Sequence, residues 1–362
     1  MSSGGRPPSR APGDPIVFRK SKSVVGLDLG SQYLKAIEIS IEPAGPVVTG
    51  YSRLALSEAS SREAAIGELL SGGGIRAKQV ATAVAGQSVV VRYISMVPMN
   101  DAELRQAIKF ESDKYLPFAA EDVVLDCHRL SHVPVGESDE EKMSVVLVAC
   151  QKGVVHGRLE QVTSHGLVPV AVDVDAFALA NAWEQSRIAS GGDVASAEDV
   201  ATALVDVGAS RTQINVLRAG ETCFSREIGI GGIDMTKAIS RRLGVDENEA
   251  EQLKCDPGER EIEIARTITP VLEDLVAELN LSLDFVENRE GVRVDEVKLS
   301  GGGVLAPGAA EYIEQSTGRS AALWNPLEGM VIDSDRVDVE AMEGQASSLA
   351  VAMGLAVRVL AA

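Results

Sequence analysis

The sequence predicts an α/β protein of two lobes, built by duplication of one unit and carrying a small α+β insertion. Three observations predict it. The stretches VVGLDLGSQYLKAIEIS (24–40) and ATALVDVGASRTQINVLRAG (201–220) each read as an apolar strand, an Asp-x-Gly turn and a second alternating strand. Asp28 and Gly30 of the first align with Asp206 and Gly208 of the second, a repeat on the scale of half a molecule rather than of a solenoid. VDEVKLSGGGVLAPGAAEYIEQSTG (294–318) reads as strand, glycine run and helix.

Taken in order, residues 1–23 are rich in Pro, Gly and Ser and carry Arg6, Arg10, Arg19, Lys20 and Lys22 against Asp14 alone. Without an apolar stretch they predict a disordered tail rather than a signal peptide, with charge available to an anionic lipid or a partner. Residues 24–85 predict the first part of lobe 1, with a helix in SREAAIGELLSGGG and a strand pair over 80–94 that runs into the insertion. The insertion, 86–170, opens its helix NDAELRQAIKFESDKYLPF with Asn100 and then Glu103, a capping box. Strands VVLDCHRL and MSVVLVAC follow, separated by a polar turn with the acidic run 137–141, then a helix from Lys152 to His165. Residues 171–204 return to lobe 1 and include a loop at 186–200 expected to be disordered. Residues 205–343 form lobe 2, with Ile268, Leu272, Leu275, Leu279 and Leu283 at helical spacing, and 344–362 predict a buried helix.

Composition excludes several functions. Thirty-four Lys and Arg against 53 Asp and Glu give a net charge of -19, which repels nucleic acid. The apolar C-terminal stretch 346–362 is too short for a membrane span and is interrupted by Arg358. Cys127, Cys150, Cys223 and Cys255 lie far apart, form no zinc or disulfide pattern and fit a reducing cytoplasm. His128 and His132 sit on a strand pattern that does not stack two metal ligands, and His156 and His165 fall on a surface helix. Neither a P-loop nor a complete G-x-G-x-x-G occurs.

The turns themselves suggest a phosphate chain. Backbone N–H groups at Gly30 and Ser31, with the Ser31 hydroxyl, make an anion nest, and Lys35 adds a point charge for a β- or γ-phosphate. Asp28 cannot meet phosphate without a cation between, which calls for hydrated Mg²⁺, and Asp206 does the same from the other turn, with Gly208 and the Thr212 hydroxyl near the phosphates. Gly301, Gly302 and Gly303 let backbone press on adenine or an α-phosphate. One Asp-x-Gly is ordinary turn chemistry; two of them followed by a strand and a glycine run call for a common ligand.

This conjunction resembles the actin, Hsp70 and sugar kinase superfamily of two-lobed, ribonuclease H-like duplicated ATP-binding proteins. The pattern D-x-G-S-x-x-x-K at Asp28, Gly30, Ser31 and Lys35 is similar to the actin branch, and Glu251 and Lys254 in ENEAEQLK resemble the E-x-x-K that brackets the ribose. A finer resemblance is to the PilM family of type IV pilus assembly, relatives of FtsA and of the GspL-type secretion proteins. It rests on VVGLDLGSQYLKAIEI, DAELRQAIKFESDKYLPF, VDVDAFALANAW, REIGIGGIDMTKAI and SGGGVLAPG.

The resemblance implies an actin-like fold with an FtsA-type insert, Mg-ATP as ligand, and Asp175 where the superfamily aligns its attacking water. Aspartate is a methylene short for that task, so slow or no hydrolysis is expected, and Asp175 as a plain helix cap is the alternative. It also implies a cytoplasmic scaffold, peripheral at the inner membrane, that binds the N-terminal peptide of PilN and links the PilN/PilO complex to the pilus motor ATPases. Leu104, Ile108 and Tyr115 are the candidate peptide groove, the same spacing being more often that of a plain core. A small-molecule kinase of the same superfamily is the alternative function.

Overall fold

The computed structural model describes residues 23–131, 142–191 and 200–358. The basic tail through Lys22, His132, the acidic run 137–141 and most of the 186–200 loop lie outside them.

Both lobes repeat one topology. In the first, β1 (Ser23–Leu29), β2 (Tyr33–Glu42) and β3 (Gly45–Ala55) form an antiparallel meander, and helix α1 (Arg62–Ser71) crosses back to β4 (Gln79–Val84), parallel to β1. An insertion follows, made of β5 (Val89–Met96), α2 (Asp101–Glu111), β6 (Val123–Leu130) and β7 (Met143–Gln151). The chain then returns through α3 (Lys152–Thr163) to β8 (Val168–Val174), parallel to β4, and continues into α4 (Asp175–Ala189).

The second sheet begins with the meander β9 (Val200–Val207), β10 (Thr212–Arg218) and β11 (Glu221–Ile228). Helices α5 (Gly232–Leu243), α6 (Glu247–Cys255) and α7 (Glu261–Glu290) carry the chain to β12 (Arg293–Ser300), parallel to β9, and α8 (Ala309–Thr317) leads to β13 (Ser320–Leu323), parallel to β12. The short β14 (Val331–Ile332) returns to the edge of the first sheet beside β3, and α9 (Val339–Glu343) and α10 (Ala350–Val357) follow. The orders β3-β2-β1-β4-β8 and β11-β10-β9-β12-β13 are the same order twice.

Three placements differ from the sequence reading. The strands over 80–94 are not partners: β4 lies in the first sheet, and β5 pairs with β7 in the separate sheet β5-β7-β6, the two being parted by a turn at Gly86 with φ +91°. Helix α3 packs on β4 and β8, and its Val162 joins the first-sheet core with Leu27 and Leu34, so the segment 152–170 lies with lobe 1 rather than with the insertion. Strand β9 is whole in the second sheet from Val200, ahead of the expected limit at 205. Local alternation shows that a strand exists; the partner is decided by long-range packing.

In the insertion, the capping box forms as the pattern predicts: Asn100 Oδ1 accepts from the N–H groups of Ala102 and Glu103 at 3.0 Å, and the Asn100 N–H donates to Glu103 Oε2 at 3.0 Å. That fixes where α2 starts and turns its apolar side, Leu104 and Ile108, onto Val145 and Leu147 of β7.

Helix α10 ties the lobes together. Its all-round apolar sequence, Ala350 to Val357, is buried throughout, with α4 on one side and β1 on the other, and the surrounding cluster reaches Leu204 and Leu217 of the second sheet. Two glycines permit the approach. A Cβ on Gly26 of β1 would stand 2.0 Å from the Ala352 carbonyl oxygen, and one on Gly354 would stand 1.7 Å from the Ala178 carbonyl oxygen. Backbone cannot yield that far without moving a helix, so Gly26→Ala and Gly354→Ala are each expected to destabilise by about 1–3 kcal/mol or more. Gly302→Ala, whose Cβ meets nothing within 4 Å, is expected to leave thermal and denaturant melts unchanged.

Candidate functional site

The β1–β2 pairing sets Asp28 directly opposite Lys35, and residues paired across an antiparallel ladder share a face. Lys35 Nζ donates to Asp28 Oδ2 at 2.9 Å. Arg62, from the first turn of α1, braces the turn beneath by donating to the carbonyls of Leu29 and Gly30 at 2.6 and 2.8 Å. In the second sheet, the β9–β10 pairing sets Asp206 opposite Gln213, and Ser300 at the end of β12 donates to Asp206 Oδ1 at 2.9 Å. The two turn tips meet across the cleft, Ser31 Oγ donating to Ser210 Oγ at 3.1 Å.

Two adjoining cavities lie around these tips and share Gly30, Ser31 and Lys35. The inner one, about 270 Å³, is lined by Asp28, Asp175 and Asp206 together with Arg62, Arg158 and Arg211. The outer one, about 260 Å³, is lined by Tyr33, Arg53, Glu251, Lys254, Gly302 and Gly303 among others. Asp175 is the first residue of α4 and makes no capping bond; Val174 holds the cap position. It faces the inner cavity instead.

Charge burial sets the electrostatics. Burial pushes the Asp175 carboxyl up to about 8, with the nearby Asp28 and Asp206 charges acting in the same sense. Burial likewise raises Asp206 to about 6, against the pull of Lys35 and the Ser300 hydrogen bond. Burial alone would lower Lys35, but the charges of Asp28 and Asp206 outweigh it and raise it. The inner cavity sets three carboxylates among four cations, Lys35, Arg62, Arg158 and Arg211, with the charge of Asp175 suppressed by burial. Among the described residues no group of three or more His, Cys, Asp or Glu is arranged to grip a metal ion directly. The donor set fits an ion that keeps its water shell, with Asp28 and Asp206 as the residues positioned to hold that shell.

Some expected residues do other work. Thr212 is fully buried and donates to the Ile230 carbonyl at 2.8 Å, away from the cleft; its neighbours Arg211 and Gln213 line the inner cavity. Gly301, at φ +92°, donates to the Ser347 carbonyl and sits so close to Val207 that a Cβ would be 2.3 Å from the Val207 oxygen, so its role is packing, while Gly302 and Gly303 face the outer cavity. Lys254 is buried, donating to Glu251 at 2.6 Å, to Thr236 Oγ1 at 2.8 Å and to the Gly232 carbonyl at 3.0 Å, and so shapes the cavity wall together with Glu251. Leu104 and Ile108 are core, 2% and 0% exposed, and Tyr115 packs against the same cluster. Leu104 also lines a surface cavity of about 260 Å³ between α2 and β6, together with Arg105, His128 and Arg129. The arginines of the inner cavity carry no local motif and were not singled out from sequence.

A family model described as type IV pilus assembly protein PilM matches residues 26–360. The chain belongs to that family. It is similar to a chain of a solved PilM-PilN type IV pilus biogenesis complex, with 30% identity, a TM-score of 0.78, and coverage of 92% of this chain and 98% of that one. It shares its fold with the ethanolamine utilization protein EutJ of Carboxydothermus hydrogenoformans, at a TM-score of 0.53 and 16% identity over 92% of this chain and 89% of that one. The EutJ protein of Escherichia coli strain K12 is 33% identical over 115 residues, which are 31% of this chain and 37% of that protein, so the chain spans little more than a third of this curated relative. The two-lobed actin-like fold expected from the sequence is the fold found. Among the described residues no helix is long and apolar enough to cross a membrane.

The raised Asp175 carboxyl has a testable sign. Its folded pKa lies above its unfolded value, so the folded state binds the extra proton between about pH 4 and 8, and stability falls as pH rises through that window. Asp175→Asn removes the cost of ionising there. In EDTA and without nucleotide, the variant is expected to melt about 2 °C or more above the parent at pH 8, the gap closing toward pH 5. Equal melting curves at both pH values would contradict the assignment.

Proposed function

We propose that the chain is a nucleotide-binding scaffold of type IV pilus assembly: it takes Mg-ATP in the cleft between its sheets and holds the cytoplasmic N-terminal peptide of PilN on its inserted subdomain. In this reading it links the PilN/PilO inner-membrane complex, from the cytoplasmic side, to the motor ATPases. The observation that carries the nucleotide part is the convergence of Asp28, Lys35 and Asp206, from two duplicated turns, on one cavity. Family membership and the likeness to a PilM-PilN complex support the pilus part.

In this reading Gly30, Ser31 and Lys35, common to both cavities, meet the phosphates, and Glu251, Gly302 and Gly303 face the nucleoside in the outer one. Bound Mg²⁺ would supply charge neutralisation, and Asp28 and Asp206 are the residues that would hold its water shell. Asp175 is the candidate for ordering a water near the last phosphate, and with a short, proton-retaining side chain it supports slow turnover at best. The PilN peptide is assigned to the groove between α2 and β6. Nucleotide touching both turns favours the closed arrangement of the lobes by its differential affinity, and a roughly 100-fold preference is worth about 2.7 kcal/mol.

The test is a titration of a labelled PilN-type N-terminal peptide against the full chain, without nucleotide, with Mg-ATP, and with Asp28→Ala. Binding is expected, tightened by Mg-ATP in the parent and insensitive to it in the variant. Binding indifferent to nucleotide keeps the scaffold and removes the coupling. Absence of binding to a cognate peptide by folded protein, together with ADP production that depends on a small hydroxylated acceptor, would favour the kinase reading instead.

A further inference from the structure

One donor in the inner cavity has nothing to donate to. Arg158, in the second turn of α3, lines that cavity, and its Nη1 is buried with no hydrogen-bond partner among the described residues. The neighbouring cations are engaged: Lys35 with Asp28 at 2.9 Å, Arg62 with the Leu29 and Gly30 carbonyls, and Arg211 with Glu227 at 3.1 Å. A buried guanidinium N–H without an acceptor carries an unrecovered desolvation penalty, and such a group in a cavity marks where an acceptor fits.

The order of residues along the cleft says which acceptor. Glu251, Lys254 and Gly302 belong to the outer cavity alone; Gly30, Ser31 and Lys35 are common to both; Arg158 and Asp175 belong to the inner cavity alone. A phosphate chain whose nucleoside sits beside Glu251 and Gly302 and which runs past Ser31 and Lys35 brings its last phosphate toward Arg158. A guanidinium, with its fixed fork of donors, is the side chain that matches a phosphate oxygen pair. We propose that Arg158 receives the terminal phosphate of a nucleoside triphosphate and is the residue by which this site tells a triphosphate from a diphosphate. The proposal rests on the nucleotide reading above and adds its specificity. It also places the sensor seven residues beyond Gln151, the last residue of β7, so about 10 Å of rigid helix joins the terminal phosphate to the inserted sheet.

The experiment is calorimetric titration of the full chain with Mg²⁺ and, in turn, a non-hydrolysable ATP analogue, ADP, and ADP with inorganic phosphate, using parent, Arg158→Ala and Arg158→Lys. The parent is expected to bind the analogue more tightly than ADP. Arg158→Ala is expected to lose about 10- to 100-fold for the analogue with ADP affinity held within about threefold, and Arg158→Lys to recover part of the loss. Thermal melts of the ligand-free proteins supply the second readout: removing an unsatisfied buried donor is expected to leave the melting temperature unchanged or raised. Should the alanine variant fail to fold, the lysine variant, which keeps the charge and stem but loses the fork, carries the same comparison. Equal losses for analogue and ADP, a lowered ligand-free melting temperature in a folded variant, or no change in either affinity each overturn the assignment. Preference for ADP with free phosphate over the analogue assigns Arg158 to inorganic phosphate and overturns it as well. A parent chain that binds no nucleotide overturns the nucleotide reading itself, a result distinct from all of these.

Discussion

Three carboxylates from two sheets and a helix, Asp28, Asp206 and Asp175, open onto one cavity together with Lys35, Arg62, Arg158 and Arg211, and the fold has to hold these charges out of bulk water. Isolated buried charges of one sign repel and desolvate at a cost no small packing gain offsets. The fold meets that constraint from several directions: Lys35 pairs with Asp28 and its charge is felt at Asp206, Ser300 donates to Asp206, and burial leaves Asp175 protonated until about pH 8. Helix α10 backs the first wall, because Gly26 and Gly354 let it touch both β1 and α4 at backbone range.

The insertion is fastened to the second lobe as well as rooted in the first. Glu227 on the edge strand β11 accepts from Arg211 at 3.1 Å and from the Gly86 N–H at 3.0 Å, so one carboxylate joins the second turn to the root of the insertion. Tyr93 of β5 donates to Ser225 at 3.3 Å, and Ser131 donates to Glu221 from both its N–H and its hydroxyl at 2.7 Å. These contacts are partly exposed and individually modest, the regime in which an interface can shift without unfolding. Through Glu227, the position of the second turn and the seating of the insertion share one carboxylate.

How much of this the sequence disclosed follows from which interactions are local. Asp28 and Lys35 were legible because a hairpin fixes its own register, and the capping box of α2 because three residues decide it. Thr212 was misplaced by one position. In both hairpins the aspartate pairs with the residue seven further on, which makes Gln213 the counterpart of Lys35 and turns Thr212 to the opposite face of the sheet. Leu104 and Ile108 show that an i, i+4 apolar pair looks the same whether it lines a groove or fills a core. Arg62, Arg158 and Arg211 reach one cavity from three unrelated segments, and nothing local in the chain marks that meeting.

The same register argument exposes an asymmetry in the duplication. The first turn carries its own cation opposite its aspartate; the second carries the neutral Gln213, and its nearest arginine, Arg211, is already paired with Glu227. Asp206 is left to Lys35 and a serine hydroxyl, which do not restore an ordinary carboxylate and leave it at about 6. Two equally neutralised turns would make a site with little use for a metal. The first turn thus carries a carboxylate paired with a lysine, and the second a carboxylate whose hydrogen-bond donor is a serine hydroxyl, so the two faces of the cleft differ in charge. A hydrated divalent cation together with a phosphate chain fits such a cleft, because the cation answers the carboxylates and the phosphates answer the lysine. The divergence of the two copies at this paired position thus makes the cleft electrostatically unequal from one lobe to the other.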